Sequence, residues 1–211
     1  MKTLKTWVAA AAMVALSSAA YAAPVFQGRL ANGTASATCT VSGAAKCAMF
    51  YNTTLNVTIL NDWNIGRGFW SATAAAGSAQ ALAESAGDAQ TDFKGWFLPT
   101  GDGELGLGAL NQYLSIWNDV GSSLVGLQAQ FDGVQSNSYW SGTEYATNPV
   151  FPWLFHPHVG FQYVDFDKSF ALYAVAVRPR DVTASVPEPQ TLALALLALG
   201  ATVVARRRRP A

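Results

Sequence analysis

The sequence predicts an α+β fold: one domain with two helices in its first half and a run of strands in its second, held between two apolar ends. Three observations carry this. Residues 71–86 and 104–117 have the composition and spacing of helices. Between residues 138 and 177 lie four short apolar or alternating segments separated by turn signals. The two ends, residues 1–22 and 183–211, carry continuous apolar runs of signal-peptide or membrane character, and between them about 160 residues remain, enough for one domain with a real core.

Taken in order, the chain opens with Lys2 and Lys5, an apolar run over 7–16 and Ala20-Tyr21-Ala22. A basic start, a short apolar run and an A-x-A site make residues 1–22 a secretory signal peptide for the Sec export machinery. Residues 23–54 form a Ser-, Thr-, Ala- and Gly-rich segment, read as irregular structure or short edge strands. It holds Cys39 and Cys47, the two cysteines of the chain. In an exported protein their expected state is one disulfide closing a small loop.

Residues 55–182 are the central domain. Leu55-Asn56-Val57-Thr58-Ile59-Leu60 alternates, which reads as a strand with one wet face. The Ala-rich stretch 71–86 reads as a helix with Ser71 as N-cap and Gly87 as its stop. Pro99 makes 95–100 a strand end or turn. Leu105, Leu107, Leu110, Leu114 and Trp117 give 104–117 one buried face, and the glycine-bearing 118–134 reads as loop. Strands follow at 138–145, 153–155 and 161–166. The nearly continuous apolar run 170–177 reads as a central strand covered on both faces, ended by Arg178-Pro179.

The tail, residues 183–211, contains Val186-Pro187-Glu188-Pro189, then an uncharged run over 191–205, then Arg206, Arg207, Arg208 and Arg209. About fifteen helical residues reach roughly 22 Å, against ~30 Å of hydrocarbon, so a transmembrane span is short but workable once the arginine stems snorkel. The arginines stay cytoplasmic, which puts everything before Val186 on the outer side of the inner membrane. These three parts, in this order, resemble the PEP-CTERM sorting signal of Gram-negative bacteria that make exopolysaccharide. The resemblance implies that an exosortase recognises Val186, Pro187, Glu188 and Pro189 and cuts near them. The product, transiently membrane-anchored, would then reach the cell surface or extracellular matrix.

A second resemblance spans residues 55–181. Leu55-Asn56-Val57-Thr58, Gly95-Trp96-Phe97-Leu98-Pro99-Thr100, Tyr139-Trp140-Ser141-Gly142-Thr143-Glu144 and Ala174-Val175-Ala176-Val177-Arg178-Pro179 look like the C-terminal domain of Lcl-type collagen-like adhesins. That family is related to the C-type-lectin and sulfatase-modifying-factor fold. It implies a single domain with two helices and a twisted, mostly antiparallel sheet. Phe97 and Arg180 stand where the family usually has Arg and Gly. The motif aromatics Trp96, Tyr139 and Trp140 read as core, Gly142 as a close backbone approach, and Glu144 with Arg178 as an ion pair across the sheet.

Composition narrows the function. Between residues 24 and 185 there are seven basic and twelve acidic side chains, about −5 overall, which argues against nucleic acid as a partner. No enzyme is expected, no catalytic residue is assigned, and no metal or cofactor is implied. One alternative is a secreted hydrolase using Ser141, which lies in no G-x-S-x-G elbow, or a metal at His156 and His158, two residues apart and on one strand face, with Asp165 or Asp167. Asp132, Asp165 and Asp167 invite comparison with lectin Ca²⁺ sites but form no dense carboxylate loop. Binding of extracellular polysaccharide is the favoured reading. Trp63, Trp70, Tyr145, Trp153 and His156, in or beside expected loops, are the candidate ring-stacking residues. A passive structural matrix protein is the remaining alternative.

Overall fold

The computed structural model describes residues 25–101 and 111–182. The expected signal peptide, the first part of the expected second helix and the sorting tail lie outside them.

Two sheets and three helices make up the described residues. β1 (Phe26–Arg29), β2 (Met49–Asn52) and β3 (Val57–Leu60) form an antiparallel meander, and β9 (Val177–Pro179) pairs antiparallel with β3 to complete a four-stranded sheet. The second sheet has five strands in the order β4 (Arg67–Phe69), β8 (Ala171–Tyr173), β5 (Tyr139–Glu144), β6 (Pro152–His156) and β7 (Phe161–Tyr163). All its pairs are antiparallel except β5 with β8. The helices are α1 (Ala79–Gln90), α2 (Gln112–Asp119) and α3 (Leu124–Gln130). The α+β class therefore holds, with two sheets and three helices in place of one sheet and two helices.

Local chemistry explains where the elements differ from expectation. Asn52 Oδ1 accepts from the N–H groups of Thr54 and Leu55, both at 2.9 Å, and Asn56 takes φ 53°. Asparagine tolerates that left-handed position, so residues 55 and 56 are turn and the strand starts at Val57. All four β3 residues are buried, and the expected wet face does not exist. Thr58 is accommodated because its hydroxyl donates to the Arg180 carbonyl at 2.8 Å.

Helix α1 starts at Ser78, not Ser71. Ser78 Oγ accepts from Ala81 N–H at 3.0 Å, whereas Ser71 donates to Thr73 in a separate turn. Gly87 lies inside the helix and does not stop it; a Cβ there would sit 2.2 Å from the Trp96 ring. Thr91 ends the helix, its hydroxyl donating to the Gly87 carbonyl at 2.7 Å. In the second helix Asn111 is the cap, accepting from Leu114 N–H. The stretch expected to be loop carries α3, capped by Ser123 Oγ on Gly126 N–H at 3.0 Å.

The apolar run 170–177 is not one strand. It is β8 in one sheet, a three-residue passage, then β9 in the other, and Arg178 and Pro179 continue β9. Along the passage the side chains alternate between two cores. Ala174 and Ala176 face the cluster of Met49, Leu60, Trp96, Leu98 and Trp140, while Val175 and Val177 face that of Ile59, Trp63, Tyr113, Tyr139 and Phe155. Both sides are covered, as the composition implied.

The four sequence motifs meet at this crossing. β3 pairs with β9, Phe97 and Val177 exchange N–H···O bonds at 2.9 Å, and Gly142 N–H donates to the Pro99 carbonyl at 2.8 Å. A Cβ on Gly142 would lie 3.0 Å from the Leu98 carbonyl oxygen, so the close approach expected of it is real. Trp96, Tyr139 and Trp140 are all buried.

Candidate ligand-binding site

The five sequence candidates separate into two groups. Trp63 has no exposed surface; its ring stacks on Phe131 at 4.9 Å and meets Tyr113 and Tyr139 edge-on. Trp70 is buried as well. Its Nε1 donates to the Ser141 carbonyl at 2.7 Å, and the Lys168 ammonium sits 4.3 Å over its ring. Both are core residues and offer no free face. Their glycine-containing flanks made them look like loop aromatics.

Tyr145 and Trp153 are half-buried and pack edge to face at 5.4 Å where β5 turns into β6. His156, at the end of β6, is also half-buried, and its Nδ1 is buried without a hydrogen-bond partner. On the facing strand His156 is registered with Phe161, and Leu154 with Tyr163. Period-two alternation puts these four side chains on one face of the β6–β7 pair. His156 lies 6.5 Å from Tyr163, and Tyr163 lies 6.2 Å from Phe161 with rings only 20° apart. Phe161 is 62% exposed on the outermost strand of the sheet.

This row is held from behind. Tyr163 Oη and Ser138 Oγ are 2.6 Å apart. Gln162, pointing the other way, exchanges two 2.7 Å hydrogen bonds with Asn111 at the start of α2. Gly160, at φ 66°, packs against Trp117, whose Nε1 would be 2.2 Å from an added Cβ. The strip His156–Tyr163–Phe161 is thus a fixed edge of ring faces. Alternation within the strand expected at 161–166 puts Phe161 and Tyr163 on one face, yet only the sheet order makes that strand the edge.

A shallow cleft of about 530 Å³ lies between Pro149-Val150 and Asp167-Lys168-Ser169. Asp167 accepts from Ser169 N–H at 2.8 Å and from its hydroxyl at 2.5 Å, and these bonds hold its carboxyl below the usual range. Lys168 also pairs with Glu144. The expected Glu144–Arg178 pair is therefore absent. Arg178 instead lies 5.3 Å over the Phe93 ring, and its Nε has no partner.

Ser141 is buried, its hydroxyl bonded to Thr143 at 3.3 Å (carbonyl) and 3.1 Å (N–H). His158 lies in the turn after β6, not on the strand, with its ring 6.4 Å from His156. Among the described residues no three His, Cys, Asp or Glu side chains gather as a metal site would require. Asp132 pairs with Lys46 at 3.2 Å.

Cys39 and Cys47 form the expected disulfide. It lies on Gly28 of β1, where a Cβ would come within 2.6 and 2.7 Å of the two sulfurs. A second cleft, also about 530 Å³, opens beside it between Phe26–Arg29 and Ala35–Ala37.

The tail is decided by comparison. Residues 185–209 match the PEP-CTERM protein-sorting motif. The PEP-CTERM motif implies export, processing by an exosortase and membrane-associated sorting to the cell surface. It covers Val186, Pro187, Glu188, Pro189 and the arginine cluster, and leaves the domain untouched. No curated protein matches the chain, and no solved structure does. Among the described residues no helix is long and apolar enough to cross a membrane, and the expected span over 191–205 lies outside them.

Proposed function

We propose that this is an exosortase-sorted surface or matrix protein whose domain is non-catalytic and binds extracellular polysaccharide along the His156–Tyr163–Phe161 strip. The observation that carries the reading is a row of ring faces fixed on an edge strand of a PEP-CTERM protein, with Phe161 left in water. Pyranose rings have apolar C–H faces, and these stack on aromatic rings while hydroxyls reach flanking polar groups. The His156 and His158 imidazoles and the Tyr163 hydroxyl lie beside the ring faces. The Tyr145–Trp153 pair, where β5 turns into β6, is a second half-buried aromatic surface. We read the four motifs as those of an Lcl-type, lectin-related domain, a reading that points the same way. The net negative charge of the exported part favours a neutral or weakly charged glycan over a polyanion.

The test is affinity electrophoresis of the mature protein in gels containing polysaccharide from the producing cells. Wild type should be retarded. Phe161→Ala should weaken binding by roughly threefold to tenfold, the factor for one lost stacking contact, with unchanged thermal stability. Retardation no greater than that of a denatured control, or a Phe161→Ala variant identical to wild type, would count against the strip and favour a passive structural role.

A further inference from the structure

We infer that the folded domain itself limits processing of the tail, through a clasp that holds the chain just ahead of the PEP-CTERM motif; this rests on the exosortase reading. The last described residues are tied down one after another. Arg180 N–H donates to the Asn56 carbonyl at 2.8 Å, and the Thr58 hydroxyl donates to the Arg180 carbonyl at 2.8 Å. Asp181 receives Arg29 Nε at 2.9 Å and a terminal guanidinium nitrogen at 2.7 Å. Arg29 is itself buried in β1, and Val182 is 1% exposed in the core with Trp96 and Leu98.

Only Thr183, Ala184 and Ser185 separate Val182 from Val186. Whatever path they take, covalent geometry keeps Val186 within about 14 Å of Val182. That is no more than the ~15 Å radius of gyration of a domain this size. Past the motif, Gln190 alone precedes the apolar run, so the motif lies between a folded body and the membrane. A peptidase must hold several extended residues around the bond it cuts, and a folded body within that reach competes with it for the space. Releasing residues 180–182 removes the obstruction. Arg180 favours release: its φ of 67° is a left-handed conformation that disfavours a residue with a Cβ. The clasp, largely polar, lies at the C-terminal edge of the folded domain, the kind of structure that opens locally before the core does.

The experiment follows conversion of precursor to mature protein by pulse-chase in the native host. Two variants release the clasp or bypass it: Asp181→Asn, and insertion of about ten Gly and Ser residues between Thr183 and Ala184, which adds ~17 Å of flexible reach. Ser78→Ala, which removes the α1 cap, lowers global stability without touching the clasp. Faster conversion of both the Asp181→Asn and insertion variants, by about fivefold to tenfold, with Ser78→Ala at the wild-type rate, is the expected result. An insertion variant converted at the wild-type rate overturns the inference, because the short tether is then no obstacle. Acceleration by Ser78→Ala as large as by Asp181→Asn also overturns it, in favour of global unfolding. A precursor converted identically in cells lacking exosortase would instead refute the sorting reading itself.

Discussion

Replacing Gly87 by alanine separates the folded packing from helix propensity, because the two predict opposite signs. Gly87 occupies the ninth position of α1, where glycine costs a helix about 0.5–1 kcal/mol relative to alanine. On propensity alone, Gly87→Ala stabilises the protein. In the fold, the new Cβ would stand 2.2 Å from both Cγ and Cδ1 of Trp96. Trp96 has little freedom to move, being buried with its Nε1 donating to the Phe93 carbonyl at 3.0 Å. Helix and ring must separate by more than an ångström, and overpacking of this kind costs about 1–3 kcal/mol. The balance is a net loss of about 1–2 kcal/mol. Urea unfolding of the mature protein should show a lower midpoint with unchanged slope, and the melting temperature should fall by roughly 2–4 °C per kcal/mol. Ala89→Gly, on the exposed side of the same helix, calibrates the propensity term and should cost about 0.5–1 kcal/mol. A Gly87→Ala protein more stable than wild type would refute the packing of α1 on Trp96.

The other expectations concern the disulfide and the buried tyrosines. Opening the eight-residue Cys39–Cys47 loop by a double Cys→Ser change should cost about 2.5 kcal/mol on the chain-entropy model; a variant as stable as wild type in denaturant would mean that segment 35–47 contributes little. Burial pushes the Tyr113 hydroxyl well above its ordinary 10.0, and burial chiefly raises Tyr139 too. The folded state keeps both protonated, whereas the unfolded chain ionises them near pH 10. Their contribution is therefore fully present below about pH 10 and is lost as pH rises toward the folded-state values. Tyrosinate absorbance from these residues should appear only together with loss of tryptophan fluorescence structure, and complete tyrosine titration in a still-folded protein would contradict their burial.

How much of this was legible depended on whether a signal was local. Short apolar and alternating runs located β5, the middle of β6 and all of β7, with the run 161–166 overshooting β7 by three residues, because strand patterns are written in neighbouring residues. The cysteine pair was legible from count and compartment. Helix starts were less so. Ser71 and Ser78 are equally good caps by type, and Gly77 at φ 80°, a turn just before Ser78, decides between them. α3 was missed because Gly126 and a single fully buried residue, Leu127, give a seven-residue helix little apolar pattern. The Glu144–Arg178 pair failed because the nearest cation to Glu144 comes from a turn, Lys168, that sequence distance hides.

The sequence by itself determined the sorting motif near the C-terminus, the α+β class and the residues able to build a core. Those depend on composition and on patterns spanning one or two turns of chain. Tertiary structure alone decided that residues 170–177 serve two sheets, and that Trp63 and Trp70 are enclosed while Phe161 is wet. Exposure is set by which strand lies at a sheet edge. That order is fixed by pairings between residues far apart in the chain, such as Tyr139 with Tyr173 and Gly68 with Leu172. Burial of an aromatic ring is a property of its neighbours, and neighbours are chosen by the fold.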